Sequence, residues 1–146
     1  MAIVLDASVA SAWFFEDERD EEALATLTYL ENDVAFVPAL WRWEIQNVLH
    51  VAERRGRLTE AGSSLLVGTL RLLQIRVDAQ GADPTFGTEL RLARRHQISV
   101  YDAAYLELAE RLALPIATRD KKLAASAHDA GVPLFRPVAK RRPRAR

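Results

Sequence analysis

Four acidic residues are the side chains of this sequence best suited to binding a cation, although they lie far apart along the chain: Asp6, Glu44, Asp102 and Asp120. Asp6 and Asp120 come just after short apolar runs at residues 3–5 and 115–118. Glu44 lies on a predicted helix that follows a third such run at residues 34–37. The remaining acid, Asp102, opens another predicted helix. Because ligands bind beyond the carboxyl ends of strands in open α/β sheets, carboxylates that meet at that edge predict a divalent-cation site.

Ordinary structural roles explain three of these acids one at a time, because short acidic side chains commonly cap helices. Asp6 could cap a helix that starts at Ala7, and Ser8 could do the same. Asp120 could cap a helix that starts at the next residue. The run Ser99-Val100-Tyr101-Asp102 has the S-x-x-D form of a capping box. None of these roles requires a ligand.

Glu44 is harder to explain as a structural residue. Helical spacing places it on one face with Trp41, Val48 and Val51, which form an apolar stripe. A carboxylate on such a stripe is costly unless something positive meets it. A bound cation explains all four acids, since clustered carboxylates raise one another's pKa until Mg²⁺ or Mn²⁺ neutralises them. Such an ion also orients a phosphate oxygen and activates a water for attack.

Composition limits the remaining possibilities. The chain has 146 residues, of which 49% are hydrophobic, and this is enough for one domain with a real core. The sequence contains no cysteine, which excludes disulfides, thiolate metal sites and cysteine nucleophiles. No apolar run approaches the roughly 18 residues of a membrane span, so we expect a cytoplasmic protein that does not act in a membrane.

The charge distribution divides the chain into two parts. The formal net charge is +0, yet residues 136–146 hold six arginines and lysines and no acid, which leaves −6 on residues 1–135. We therefore expect one domain over 1–135 and a basic, disordered tail over 136–146. That tail is either a solubilising end or an electrostatic contact for RNA or an acidic partner.

Alternating apolar periodicities predict an α/β fold, a three-layer sandwich with a central, mostly parallel sheet flanked by helices. Strands are predicted at 3–5, 34–37, 74–77, 115–118 and 132–135. Helices are predicted at about 7–15, 20–31, 40–55, 60–73, 85–96, 101–112 and 121–130, with Gly56 ending the third in the manner of a C-terminal cap.

Four short motifs along residues 2–135 resemble those of a known family, the PIN-domain ribonucleases, in particular the VapC-type toxins of bacterial toxin–antitoxin pairs. The motifs stand here as Leu5-Asp6-Ala7-Ser8, the run from Pro38 to Glu44 and Asn47, Tyr101-Asp102-Ala103-Ala104, and Thr118-Arg119-Asp120. Singly they are weak, and their order and spacing together are specific.

The resemblance implies a Mg²⁺-dependent endoribonuclease in which Asp6, Glu44, Asp102 and Asp120 form the catalytic, metal-binding set. It also implies a small antitoxin partner and a homodimer. Some relatives carry a further acid two residues beyond the last one, where this chain has Lys122, which puts a complete second metal site in doubt. Ser8 and Thr118 are expected to position a ligand or phosphate, unless they serve only turns and caps. Asn47 is expected to orient Glu44 from the next helical turn.

An acidic site must still attract a polyanion, so basic residues are needed nearby. The candidates for RNA contact are Arg91, Arg94, Arg95, Arg119, Lys121 and Lys122. A solvated basic helix face explains the first three equally well. Surplus apolar residues on the predicted helices are weakly consistent with a protein interface: Trp41, Trp43, Leu65, Leu66, Leu70, Leu72 and Leu73.

Other functional classes also place acids after strands. A phosphotransferase of the haloacid dehalogenase kind needs a second acid two residues after the first, where this chain has Ser8. A receiver-type signalling domain needs a phosphorylated Asp ending a middle strand and a Lys after a later one, which this sequence matches poorly. A non-catalytic PIN-like domain that only binds RNA or a partner remains open, and metal-dependent cleavage of RNA would separate it from an enzyme.

Overall fold

A computed structural model describes residues 1–79 and 86–138 as an α/β sandwich built on one parallel sheet. The strands are β1 (Ile3–Leu5), β2 (Ala35–Pro38), β3 (Ile75–Asp78) and β4 (Ile116–Ala117), in the order β3-β2-β1-β4. Every neighbouring pair is parallel. All four carboxyl ends therefore lie at the same edge of the sheet, as the predicted α/β class requires.

Seven helices within the described residues flank this sheet, which confirms the predicted three-layer architecture. Their bounds are α1 (Ala7–Ala12), α2 (Glu21–Leu30), α3 (Leu40–Arg54), α4 (Glu60–Leu72), α5 (Thr88–His96), α6 (Val100–Leu112) and α7 (Lys121–Asp129). Helix α6 packs against β1 and β2. No helix within residues 1–79 and 86–138 is long and apolar enough to cross a membrane.

Strand β1 lies in the middle of the core. Its three residues are fully buried, and Val4 is in register with Phe36 on one side and Ile116 on the other. The ladder runs one residue past the strand, because the Asp6 amide donates to the Ala117 carbonyl at 3.0 Å. This bond fixes Asp6 at the sheet edge before its side chain makes any contact.

Local signals set most helix ends. Gly56 adopts a φ of +71° after α3, which is the left-handed conformation expected of a glycine cap. The side chains of Asp20, Thr59 and Ser99 accept hydrogen bonds from the first turns of α2, α4 and α6. These caps explain why the predicted and observed helices agree to within a few residues at most ends.

The first helix is shorter than predicted, ending at Ala12 instead of Phe15. Three aromatic residues follow it, Trp13, Phe14 and Phe15, and all three are buried. Consecutive helical residues point about 100° apart, so one helix could not bury all three against the same body. The chain turns instead, and a 3₁₀ turn at Glu16–Glu18 carries it to α2.

The strand predicted at 132–135 is wrong, because the described residues there form only an isolated parallel bridge between Ile116 and Leu134. Pro133 contributes its carbonyl to the Ile116 amide but has no amide of its own to continue a ladder. Residues 139–146, most of the predicted basic tail, and residues 80–85 lie outside the described residues. The boundary at 135/136 stays a prediction.

A partly exposed ion-pair network, in which only Glu107 is buried, links α6 to the end of β3. The Arg111 guanidinium donates to Glu107 Oε1 at 2.7 Å and to Asp78 Oδ2 at 2.6 Å. Glu107 is 5% exposed, so its carboxylate depends on that guanidinium for compensation. Hydrogen bonds to Glu107 and Asp78 in turn raise the pKa of Arg111.

Replacing Arg111 by methionine tests this network. Arg111→Met keeps the apolar stem but leaves the Glu107 carboxylate buried without a cation, and should lower the free energy of unfolding by about 2 kcal/mol. Arg136→Met is the control, because it removes an exposed pair with Glu22 and should cost less than about 1 kcal/mol. Urea denaturation at neutral pH measures both, and equal losses would contradict the structural role given to Arg111.

Candidate active site

The Asp6 carboxylate lies at the carboxyl edge of the sheet and is held by two hydroxyl groups. Ser8 Oγ donates to Asp6 Oδ2 at 2.6 Å, and Thr118 Oγ1 donates to the same oxygen at 2.7 Å. Asp6 is only 5% exposed. It occupies the N-cap position of α1, where its carboxylate interacts with the Ser8 backbone without a well-aligned capping hydrogen bond, so capping alone does not explain its burial.

The same two hydroxyls join the loop after β1 to the loop after β4. Ser8 Oγ accepts a hydrogen bond from the Arg119 amide at 3.0 Å, and Thr118 Oγ1 accepts one from the Asp120 amide at 3.0 Å. Because each hydroxyl proton is committed to Asp6, each oxygen is left to accept from backbone. The orientation of the Asp6 carboxylate is therefore fixed from both loops.

Asp120 and Asp102 stand at helix starts, as their capping patterns predicted. Asp120 caps α7 through Oδ1, which accepts from the Leu123 amide at 2.9 Å. Ser99 caps α6 by accepting from the Asp102 amide at 3.0 Å. Capping uses one Asp120 oxygen, and Ser99 contacts both the backbone amide and the carboxyl group of Asp102. Asp120 is exposed, and Asp102 is half-buried.

Glu44 is held by Tyr105, a residue that the sequence analysis missed. The Tyr105 hydroxyl donates to Glu44 Oε1 at 2.7 Å. The buried stripe of α3 consists of Trp41, Ile45, Leu49 and Ala52, so Glu44 lies at the edge of that stripe and is half-buried. The available signal was spacing, since Tyr105 lies one helical turn after Asp102 and so faces the same way.

Asn47 does not take the role expected of it. Its side chain is exposed and lines a shallow cleft with Ser11 and Val51. It makes no hydrogen bond to Glu44 within the described part of the chain. The hydrogen bond to Glu44 comes from Tyr105 on α6 instead.

The carboxyl groups raise one another's pKa. Burial raises the pKa of Asp6, and the charge of Asp120 adds to this, while hydrogen bonds from Ser8 and Thr118 act in the opposite direction. Burial also raises the pKa of Glu44, with further contributions from Asp6 and Asp102. Burial contributes most to the raised pKa of Asp102, followed by the charges of Asp120 and Asp6, and a hydrogen bond with Ser99 and then the charge of Lys122 partly offset these effects. The four acids therefore share one electrostatic environment.

The chemistry of this set fits a hard divalent cation. Within residues 1–79 and 86–138 none of the four acids forms an ion pair with a basic side chain, so their mutual repulsion has no counterion in direct contact. The hydroxyl hydrogen bonds to Asp6 both go to Oδ2, and the capping hydrogen bond of Asp120 goes to Oδ1. In the same described residues no three His, Asp or Glu side chains are already arranged to hold a metal ion. A cation would have to draw these carboxylates inward.

The predicted RNA contacts fall into two groups. Arg119 is already bound, because it donates to the Glu18 carbonyl at 2.7 Å and pairs with Asp20 at 3.3 Å. It braces the acidic turn between α1 and α2, which Arg57 holds from the other side through Asp17. The remaining candidates are exposed and form no ion pair with another described residue: Arg91, Arg94 and Arg95 on α5, and Lys121 and Lys122 on α7.

Comparison with known proteins agrees with the motifs and the fold. A model of the PIN domain family matches residues 3–128. The chain is 31% identical over 128 residues to Ribonuclease VapC3 of Pyrobaculum aerophilum, covering 85% of this chain and 93% of that protein. The crystal structure of PAE2754 from the same organism is similar, with a TM-score of 0.63, 26% identity, and coverage of 86% and 87% of the two chains. FitAcB of Neisseria gonorrhoeae shares the fold at a TM-score of 0.64 and 21% identity, over 94% and 98% of the chains.

The raised pKa of Asp102 makes stability depend on pH. The folded state holds that proton more tightly than the unfolded state, so ionisation of Asp102 costs folding free energy as pH rises through the raised value. With a chelator present to remove metal ions, Asp102→Asn should have the same melting temperature as the parent at a pH below the ordinary pKa of aspartate. Near pH 7 it should melt a few degrees higher than the parent. Glu31→Gln, at an exposed position, controls for loss of a surface carboxylate. The same pH-dependent gain in both variants would show that the effect is not specific to the site.

Proposed function

The chain belongs to the PIN domain family, and on that premise we propose that it is a Mg²⁺-dependent endoribonuclease that hydrolyses RNA phosphodiester bonds. The observation that carries the proposal is the gathering of Asp6, Glu44, Asp102 and Asp120 from four separate segments into one electrostatic environment. Burying or crowding carboxylates in this way costs stability, and it is useful only if a cation compensates them. The ribonuclease name of the similar Pyrobaculum aerophilum protein supports the same reaction.

Each acid contributes differently to the proposed cation site. Asp6 is the rigid member, since two hydroxyl donors to Oδ2 and the ladder bond of its amide to Ala117 restrain it. Asp120 is exposed, and its Oδ2 atom, which does not cap α7, is accessible to an ion from solvent. A Mg²⁺ or Mn²⁺ ion bound there would supply Lewis-acid activation of a water and of the scissile phosphate. The protein needs no nucleophile of its own.

The second residue of α7, Lys122, bears on how many ions the site would hold. Lys122 stands where some relatives have a further acid, and its charge lowers the pKa of Asp102. A cationic side chain beside Asp102 competes with a second divalent ion for that carboxylate. We therefore propose one fully coordinated ion, with Mn²⁺ able to replace Mg²⁺.

The proposed biological role is the toxin of a toxin–antitoxin pair, acting on cellular RNA in the cytoplasm. This role, the small antitoxin partner and a homodimer rest on the resemblance to VapC-type toxins. Several large apolar side chains expected to be surplus are exposed and available for such contacts, namely Trp43, Leu65 and Leu72. Others are not, because Trp41 is buried and Leu66, Leu70 and Leu73 pack against the core.

A phosphotransferase of the haloacid dehalogenase kind gains no support from the site. In place of its second acid stands Ser8, whose hydroxyl donates to the first acid. A domain that only binds RNA or a partner would not need the cost of a buried Asp6 and a half-buried Glu44 and Asp102. Binding of RNA without cleavage would identify such a domain.

The four acids should act as one unit in catalysis. Asp6→Asn, Asp102→Asn and Asp120→Asn should each reduce Mg²⁺-dependent RNA cleavage by more than the roughly 10- to 100-fold typical of changes around a metal site. Each substitution keeps the shape of the side chain, and asparagine also caps helices, so folding should survive. Asp129→Asn, exposed at the end of α7, should cleave at the parental rate. A chain that binds RNA but cleaves none with any divalent ion would support the binding domain instead.

RNA affinity should depend on the two free lysines at the start of α7. Lys121→Ala combined with Lys122→Ala should weaken binding and reduce the slope of log affinity against log salt by about 2, one per phosphate contact. Arg54→Ala with Arg55→Ala removes the same charge from exposed positions at the end of α3 and should leave the slope unchanged. Binding titrations of a catalytically silent Asp6→Asn background at several salt concentrations measure both. Ending the chain after Pro137 in the same assay tests the tail.

A further inference from the structure

Tyr105 places a single hydroxyl among three of the segments that carry the acids. It lies on α6 one turn after Asp102 and is 1% exposed. Its hydroxyl donates to Glu44 Oε1 on α3 at 2.7 Å, and the amide of Ala7, the residue after Asp6, donates to it at 3.4 Å. One oxygen atom therefore connects α6, α3 and the start of α1.

This hydroxyl does more than fill space. The other buried side chains nearby on α6 include Ala103, Leu106 and Leu108, which are apolar, and a phenylalanine would pack as well at this position. A buried hydroxyl is costly unless it is hydrogen-bonded, and both partners of this one belong to the acidic edge. A tyrosine hydroxyl has one proton, and here that proton goes to one particular oxygen of Glu44.

The hydrogen bond from Tyr105 makes the two carboxylate oxygens of Glu44 unequal. Oε1 accepts from the phenol while Oε2 has no hydrogen bond within the described residues, and the phenol restrains the rotation of the carboxylate. Asp6 shows the same division, with Oδ2 taking both hydroxyl protons. Resting on the proposed cation site, we propose that Tyr105 is a positioning residue that fixes Glu44 so that its Oε2 atom alone is presented to the divalent ion.

The experiment removes only the oxygen. Tyr105→Phe in the full chain should fold, and should bind Mn²⁺ about 10- to 100-fold more weakly than the parent, the usual effect of losing a group that orients a ligand. The Mn²⁺ concentration needed for half-maximal thermal stabilisation reports this without any cleavage assay. RNA cleavage should fall at limiting Mn²⁺ and recover in part at saturating Mn²⁺, while the KM for RNA stays near the parental value.

Tyr29→Phe is the matched control. Tyr29 also uses its hydroxyl for hydrogen bonding, to the Met1 carbonyl and to Asp33, but at the opposite edge of the sheet. It should leave the Mn²⁺ midpoint and the cleavage rate unchanged. A Tyr105→Phe protein with the same Mn²⁺ midpoint as Tyr29→Phe would overturn the positioning role.

Two further variants test whether Tyr105 acts through Glu44. Adding Tyr105→Phe to Glu44→Gln should not weaken Mn²⁺ binding beyond the effect of Glu44→Gln alone, whereas additive losses would mean a merely structural tyrosine. Glu44→Asp keeps the charge but withdraws the carboxylate from the phenol, so it should also bind Mn²⁺ more weakly. This variant decides the matter if Tyr105→Phe does not fold, because parental binding by Glu44→Asp would overturn the inference.

The metal measurement also separates this inference from the proposed function. A parent chain that binds Mn²⁺ but cleaves no RNA would end the ribonuclease proposal, while the role of Tyr105 would still stand or fall on the Mn²⁺ midpoints. A parent chain that is not stabilised by Mn²⁺ or Mg²⁺ at all would overturn both.

Discussion

The whole acidic edge depends on one buried carboxylate that is shared between two loops. Asp6 could not be kept in a nearly closed position without donors, and Ser8 and Thr118 supply two hydroxyl protons to the same oxygen. Those hydroxyls in turn accept the amides of Arg119 and Asp120, so the chain after β4 is shaped around the chain after β1. The side chains of Asp120 and Thr118 acquire their directions from this arrangement.

The sequence was sufficient for the fold class because its local signals agree with one another. Short apolar runs end in Asp6 and in Pro38, Gly56 takes the left-handed conformation that its position required, and Ser99 caps α6. Two predicted elements differ from the structure, for physical reasons that the apolar periodicity does not reveal. Three aromatic residues after Ala12 all turn inward, which ends the helix early, and the missing amide of Pro133 reduces an expected strand to one bridge.

The elements that carry the four acids were predicted from the sequence, whereas the donors that contact those acids were not. Strand order and helix starts bring the four acids to one edge, and their types are visible in the sequence. The partners are not visible, because they come from distant segments: Tyr105 meets Glu44 across 61 residues, and Arg119 meets the Glu18 carbonyl across 101. The roles of Asn47 and Arg119 were predicted from nearness in sequence. Asn47 is exposed and makes no hydrogen bond to Glu44 among the described residues, and Arg119 is bound to Glu18 and Asp20.

The strand order has a consequence for shortened forms of the chain. In the order β3-β2-β1-β4, the first strand in the chain pairs on one side with the last one. Without β4, that side of β1 has no strand to pair with. Thr118 and Asp120, which complete the surroundings of Asp6, follow directly on that last strand. A chain that lacks the segment carrying β4 would hold an incomplete acidic edge, with Asp6 short of the donor that Thr118 supplies. Fragments that end before that segment should therefore lack the surroundings on which any chemistry of this edge depends.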